Sequence, residues 1–295
     1  MGCAFYIVDV FAQRKYEGNQ LAVVLEAGSL GAPEMQRIAR EMNFSETTFV
    51  VSGEKRAGVF DVRIFTPKRE LPFAGHPVLG TAYVIEREIT RERRPRIVLN
   101  LKAGPIPVTR GEEEGGEDLY WMRQGPAVFG RVLGVDEVCA ALGLERSDLV
   151  EGLPVQEVST GLPFVIVPLR SLEAIERIRV ADKRYLDLVR GGEAKAMLAF
   201  CRGARDPRNH LSVRVFAGYY GVPEDPATGS ANGCLAGYLV KYPHFGTSGI
   251  DARIEQGYEI GRPSLLWVRA EEAKGGEIAV RVGGRVVPVA RGELL

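Results

Sequence analysis

The chain has 295 residues, with 38 lysines plus arginines against 38 aspartates plus glutamates, so it has no global field to recruit nucleic acid or an anionic membrane. Its length suits two domains of about 150 residues, each able to bury its own core, and a small molecule is the partner that this charge balance fits. Cys3, Cys139, Cys201 and Cys234 lie far apart, and His76, His210 and His244 are the only histidines, so no metal-ligand spacing is present and no glycine-rich phosphate signature occurs.

The first ten residues, Met1 to Val10, lack a basic segment and alternate like a strand rather than forming a signal core, so a cytoplasmic protein is expected. Phe5 to Phe11 and Leu21 to Leu25 read as a hairpin. Pro33 then starts a helix whose Met35, Ile38, Ala39 and Met42 share one face, ending near Asn43. In Asn43-Phe44-Ser45-Glu46-Thr47-Thr48-Phe49-Val50-Val51 a carboxylate stands at the mouth of an otherwise apolar, β-branched strand. A strand from Val59 to Phe65, a loop with Pro67, Glu70 and Pro72, and a helix from Pro77 to about Glu88 follow. Further strands cover Ile97 to Leu101, Ile106 to Thr109 and Leu119 to Arg123, broken by the acidic, glycine-rich run Gly111 to Glu117, which reads as a solvated hairpin tip.

The domain boundary is placed there, giving domains 1–118 and 119–295, with the last strand, about 285–292, able to return to the first. In the second domain Asp136 to Leu142, Ser171 to Ile178 and Lys183 to Val189 read as helices, and Val155 to Ser159, Phe164 to Leu169, Met197 to Cys201 and Leu211 to Phe216 as strands. Asp225 before Pro226 reads as the start of a helix running to Val240, because proline suits the first helical turn and aspartate caps exposed N–H groups. Its body is almost all small, with Gly229, Gly233 and Gly237 on one face, as expected of a buried helix wrapped closely by sheet. Antiparallel strands complete the chain over Ala252 to Glu255, Leu265 to Arg269, Ile278 to Val282 and Val286 to Ala290.

The chain repeats itself. His76-Pro77-Val78-Leu79-Gly80-Thr81-Ala82 aligns with Asp225-Pro226-Ala227-Thr228-Gly229-Ser230-Ala231 at an offset of 149 residues, and Val62-Arg63-Ile64-Phe65 before the first copy matches Val213-Arg214-Val215-Phe216 before the second. Duplication explains shared order at near-equal spacing. The fold expected is α+β, with two pseudo-symmetric domains that each curl a mixed or antiparallel sheet around a central helix. Strand and helix alternate too irregularly for a doubly wound parallel sheet.

A helix N-terminus offers unpaired N–H groups and partial positive charge, an anion site in waiting. If duplicated halves face each other, two such ends converge on one cleft with His76, Asp225, Thr81 and Ser230, while Gly75 and Gly229 let a substrate carboxylate reach the backbone. Histidine suits proton transfer near neutral pH, and Glu46, set between Phe44 and Phe49, is the carboxylate whose surroundings suit the same task. The competing structural readings are helix caps for His76 and Asp225, an arginine-paired strand-edge carboxylate for Glu46, a merely small residue for Ser230, and a turn for Gln256-Gly257.

Asn43 to Phe49, Phe73-Ala74-Gly75-His76-Pro77-Val78-Leu79-Gly80-Thr81-Ala82 and Glu224 to Ala231 resemble the three signature blocks of the PhzF (phenazine biosynthesis-like) family in order and spacing over nearly the whole chain. The resemblance implies the diaminopimelate-epimerase fold, a site between two similar domains, a homodimer, and no cofactor or metal. It implies an isomerase in which Glu46 removes a proton from a small carboxylic acid and returns it elsewhere, with His76, Asp225 and Ser230 orienting the substrate and stabilising developing charge. Two other readings stand beside it. One is a non-enzymatic, partner-binding protein on the same fold. The other is a two-thiol racemase, which needs a cysteine at the start of each central helix and finds none.

Overall fold

Apolar and β-branched runs bounded by glycine and proline dominate the chain, and they form a mixed α+β structure of many strands and few helices. The structure, a computed structural model, describes residues 2–53, 58–112, 118–243 and 249–295. Most of the acidic turn expected over 111–117, and His244, lie outside the described residues. The chain divides into two compact units, Met1–Arg123 with Gly283–Leu295, and Gln124–Val282.

In the first unit β1 (Cys3–Val10) runs antiparallel to β2 (Asn19–Val24), and after helix α1 (Ala32–Met42) the chain returns as β3 (Glu46–Val50), parallel to β2. Strand β4 (Val59–Phe65) is antiparallel to β3 and turns back into the two-residue β5 (Glu70–Leu71). Helix α2 (Gly75–Val84) then crosses over to β6 (Arg96–Leu101), parallel to β4, from which β7 (Gly104–Glu112) and β8 (Asp118–Arg123) continue antiparallel. The C-terminal strand Val286–Leu294 pairs antiparallel with β1, with a bulge at Ile7/Val8.

The second unit repeats this order of directions. Strand β9 (Val128–Val132) leads through α3 (Val135–Leu142) to β10 (Gln156–Ser159), its antiparallel partner, and β10 pairs antiparallel with β11 (Pro163–Leu169). Helices α4 (Leu172–Glu176) and α5 (Asp182–Arg190) precede β12 (Met197–Arg202), parallel to β11, and β13 (Leu211–Ala217) is antiparallel to β12. A short hairpin to β14 (Val222–Asp225) and helix α6 (Gly229–Lys241) lead to β15 (Gly249–Gln256), parallel to β13, then β16 (Ser264–Glu272), antiparallel to β15, and β17 (Ile278–Gly284).

Helices α2 and α6 are buried almost all round, whereas α1 buries only Met35 and Ala39 on one face. That difference follows from composition: α2 and α6 carry apolar and small residues on every side, so neither has a polar face to give to solvent. Helix α2 packs against β1, β2, β3, β6, β7 and β8, and α6 against β10, β11, β12, β15 and β16. A Cβ on Gly80 would stand 2.6 Å from Leu21 Cδ2 and 2.8 Å from Val10 Cγ2, so only glycine lets β1 and β2 approach α2 this closely.

The strand motif common to both halves has a common function. Arg63 on β4 makes two hydrogen bonds, 2.8 and 2.9 Å, to the Glu70 carboxylate on β5, and Arg214 on β13 makes two, 2.8 and 2.7 Å, to Glu224 on β14. Each guanidinium also lies over the aromatic ring two residues on, 5.1 Å from Phe65 and 5.0 Å from Phe216. Forked pairing of this kind is strong and directional. In both units it ties down the short hairpin that feeds the buried helix.

Two expected boundaries differ. Asp225 does not cap a helix: it is the last residue of β14, opposite Val215, and α6 begins four residues later at Gly229 with Thr228 at its N-cap. Ladder pairing on one side and hydrogen bonds from Gln256 on the other hold Asp225 to Thr228 outside the helix. Helix α2 begins at Gly75, before Pro77, and continues past Val84 as a π-helical turn over Ile85–Thr90. The edge strand β9 was not expected, because Val128-Phe129-Gly130-Arg131-Val132 is mostly exposed and carries no clear alternation.

The contact along α6 is testable. A Cβ on Gly237 would meet the Ala127 Cβ at 2.5 Å, with no flexible side chain to yield. Overpacking of about 1–3 kcal/mol outweighs the gain of about 1 kcal/mol in helix propensity. Gly237→Ala is therefore expected to destabilise the protein by about 1 kcal/mol, and by no more than about 2, in urea unfolding, and a stabilised variant would show that the helix is not held that tightly.

Candidate active site

Two local arrangements hold the residues singled out from the sequence. In the first unit, Leu21 on β2 pairs with Glu46 on β3 at one end of the parallel pair. Side chains two apart on a strand share a face, and Thr48, two residues on, meets Thr81 of α2 with hydroxyl oxygens 2.8 Å apart in the interior. This hydroxyl pair sets the level of β3 against α2, and His76, in the first turn of α2, then faces Glu46. Glu46 Oε2 lies 3.4 Å from His76 Nε2, with the two side chains 16% and 7% exposed.

Burial pushes the His76 pKa down to about 3, and a hydrogen bond to the Gln20 backbone acts in the opposite, weaker sense. A bond that favours the protonated ring is one in which the ring donates, so the other nitrogen keeps its lone pair. His76 is neutral at physiological pH, and its contact with Glu46 is not an ion pair. Gly75, the first residue of α2, is buried beside it. Pro77 supplies no N–H, so Gly75 and His76 contribute the free amides of this helix end.

In the second unit Asp225, Thr228, Gly229 and Ser230 surround the start of α6. The Thr228 hydroxyl donates a hydrogen bond to Asp225 Oδ2. Gln256, at the end of β15 and 1% exposed, ties the loop together. Its Nε2 donates to the Asp225 carbonyl at 2.8 Å and to Thr228 Oγ1 at 3.0 Å, while its Oε1 accepts from the Thr228 N–H at 3.1 Å and from Asn232 Nδ2 at 2.9 Å. The first helical amides, those of Gly229, Ser230 and Ala231, precede the first intrahelical bond, which runs from the Asn232 N–H to the Thr228 carbonyl. Gly229 and Ser230 open α6, Gly229 buried and Ser230 partly exposed. The Gly229 carbonyl accepts from Gln124 Nε2 at 3.0 Å.

Glu46 and His76 thus share one site in the first unit, and Asp225, Gly229 and Ser230 one loop and helix end in the second. Thr228 is an addition, signalled in the sequence only by a hydroxyl three residues after Asp225. Gln256 stands there in a Gln-Gly pair near a strand end that could shape the cleft, with a turn as the preferred reading. Cys234 carries no nucleophile: it is fully buried in the second turn of α6, its Sγ lies 3.4 Å from the Leu162 carbonyl, and burial pushes its pKa up to about 11. Among the described residues no group of three or more His, Cys, Asp or Glu could hold a metal ion, and no helix is long and apolar enough to cross a membrane.

The fold is one used by racemases and epimerases. A hydroxyproline epimerase from Agrobacterium vitis superposes with a TM-score of 0.63 at 12% identity, covering 99% of this chain and 91% of the epimerase, a likeness of fold alone. Residues 8–292 match the family described as phenazine biosynthesis-like protein, PhzC-PhzF. Trans-2,3-dihydro-3-hydroxyanthranilate isomerases from Pseudomonas aeruginosa and Pseudomonas chlororaphis are 35% and 38% identical, covering 98% and 99% of this chain and the same shares of theirs. A Bacillus anthracis phenazine biosynthesis protein of the PhzF family superposes with a TM-score of 0.92 at 30% identity, covering 100% of this chain and 99% of its own. The chain belongs to the PhzF (phenazine biosynthesis-like) family and is an isomerase of that family.

The neutral His76 has a thermodynamic consequence. Below about pH 6.5 the unfolded chain binds a proton on this residue that the folded protein refuses until about pH 3. Stability is therefore lost as pH falls through that window, by up to about 1.4 kcal/mol per pH unit. Between pH 7 and 5 the wild type should lose about 2 kcal/mol more than His76→Gln in urea unfolding, and an identical loss in both would place His76 in a wetter setting.

Proposed function

We propose that the protein moves a proton between two carbons of a small carboxylic acid, with Glu46 as general base and then general acid. The observation that carries this reading is the Glu46–His76 contact: a mostly buried carboxyl oxygen 3.4 Å from the nitrogen of a neutral imidazole. A base in such a place takes a proton from carbon next to a substrate carboxylate, which spreads the developing charge. While Glu46 carries that proton, the Nε2 lone pair gives its O–H an acceptor that stays uncharged. The acid is then oriented to return the proton at a second carbon.

Asp225, Ser230 and Gly229 complete the site in this reading. The amides that open α6 bind the substrate carboxylate, helped by the partial positive charge of the helix end, and Asp225 and Ser230 orient polar groups on the substrate. The substrate proposed is trans-2,3-dihydro-3-hydroxyanthranilate or a ring acid like it, on the support of the two isomerases just described. Two pseudo-symmetric domains that each wrap a sheet around a central helix, divided near 118/119 with the last strand returning to the first, are the arrangement in which such a site assembles. The matching strand directions and the paired Arg–Glu clamps support it. A cytoplasmic homodimer that works without a cofactor belongs to the same proposal.

The test is incubation in deuterated water with this acid and a panel of related ones, followed by NMR. Glu46→Gln should lower deuterium incorporation by about a hundredfold or more, with its unfolding curve intact. Exchange at the wild-type rate in that variant would remove Glu46 as the base. Binding of acids without exchange in the wild type would favour a non-enzymatic binding protein.

A further inference from the structure

The geometry points to Gln256 as a positioning residue that sets the direction of the Thr228 hydroxyl and thereby holds the Asp225 carboxylate in one orientation. This inference rests on the reading of Asp225 as a substrate-orienting group. Amide ends are ambiguous by shape, but backbone groups settle them here. The Asp225 carbonyl can only accept, so it takes Nε2 of Gln256, and the Thr228 N–H can only donate, so it takes Oε1.

With the amide fixed, Nε2–H necessarily points at Thr228 Oγ1 as well, 3.0 Å away. A hydroxyl has one proton and two lone pairs. Since Gln256 fills a lone pair, the proton is directed to Asp225 Oδ2, and the hydroxyl–carboxylate hydrogen bond found there is that bond. Asn232, fully buried in α6, holds Oε1 from the other side at 2.9 Å and bonds the Thr228 carbonyl at 3.0 Å, so the amide cannot turn without breaking four hydrogen bonds. All of these partners belong to one loop, one helix end and one strand end. The relay therefore exists before any substrate arrives, which is what an orienting group needs.

Two near-isosteric variants separate this from a merely structural role. Thr228→Val deletes the hydroxyl and keeps the backbone N–H that Gln256 accepts. Gln256→Glu removes the Nε2 donor to both Thr228 Oγ1 and the Asp225 carbonyl and offers the hydroxyl proton an acceptor at position 256, so Thr228→Val, which leaves the backbone anchor intact, is the variant that isolates the hydroxyl. Crystal structures of both should show the Asp225 carboxylate rotated from its wild-type position. In the exchange assay both should lower kcat/KM by about ten- to a hundredfold, the loss expected for one hydrogen bond to a charged group, and Thr228→Ser should recover most of the loss. The double variant should be no worse than Gln256→Glu alone, since both changes cut one chain. An Asp225 carboxylate superimposing on its wild-type position in both variants would overturn the inference. A rotated carboxylate with wild-type exchange would leave the positioning intact and refute the substrate role of Asp225. If no acid exchanges even with the wild type, the reading of the reaction fails, and the two crystal structures still decide what Gln256 does.

Discussion

The parallel pairing of β2 with β3 is the constraint on which the Glu46–His76 arrangement depends. A register slip of one residue would turn every side chain of β3 to the other face, carrying Glu46 away from His76 and Thr48 away from Thr81. The register is held from two sides: Leu21 opposite Glu46 along the strands, and the buried hydroxyl pair across to α2. A purely apolar contact at that point would pack as well but would slide more easily. The polar pair costs energy wherever it is not made, so it specifies one alignment.

The buried helices have a related logic. α2 and α6 lack the amphipathic stripe that would turn one face to water, and glycine brings strand backbones or small side chains against them. A helix enclosed in this way is rigid from its first turn, and its opening amides keep fixed positions. In each unit the hairpin before the helix is stapled by a forked arginine–glutamate pair whose guanidinium also covers an aromatic ring. The two halves thus solve the same problem, fixing a helix start next to a turn, with the same chemistry.

The two helix starts are nevertheless not equivalent. His76 sits inside the first turn of α2, whereas Asp225 ends a strand, four residues ahead of α6. The desolvated imidazole stays neutral beside a carboxyl group, while the aspartate is anchored by a hydroxyl and an amide. One sequence pattern has become two different local arrangements, a neutral imidazole beside a carboxyl group in one unit and a carboxyl group tied to a hydroxyl in the other.

Composition, charge balance, the internal repeat and most of the strand order were legible in the chain itself, because alternation, proline and glycine act locally and leave local marks, whereas the exposed β9 and the short β14 left none. Glu46 stood out for the same reason, as a carboxylate in a run of apolar and β-branched residues, and His76 and Asp225 through their place in the repeated block. Three things were decided only in the folded protein. The start of α6 moved past Asp225 because Gln256, 31 residues further on, holds the intervening loop. The neutrality of His76 comes from its burial in the folded protein. Thr48 and Thr81 matter only because a strand and a helix bring them together. Long-range pairing and desolvation are properties of the assembled chain, so residues whose role depends on them look ordinary until the tertiary structure places them.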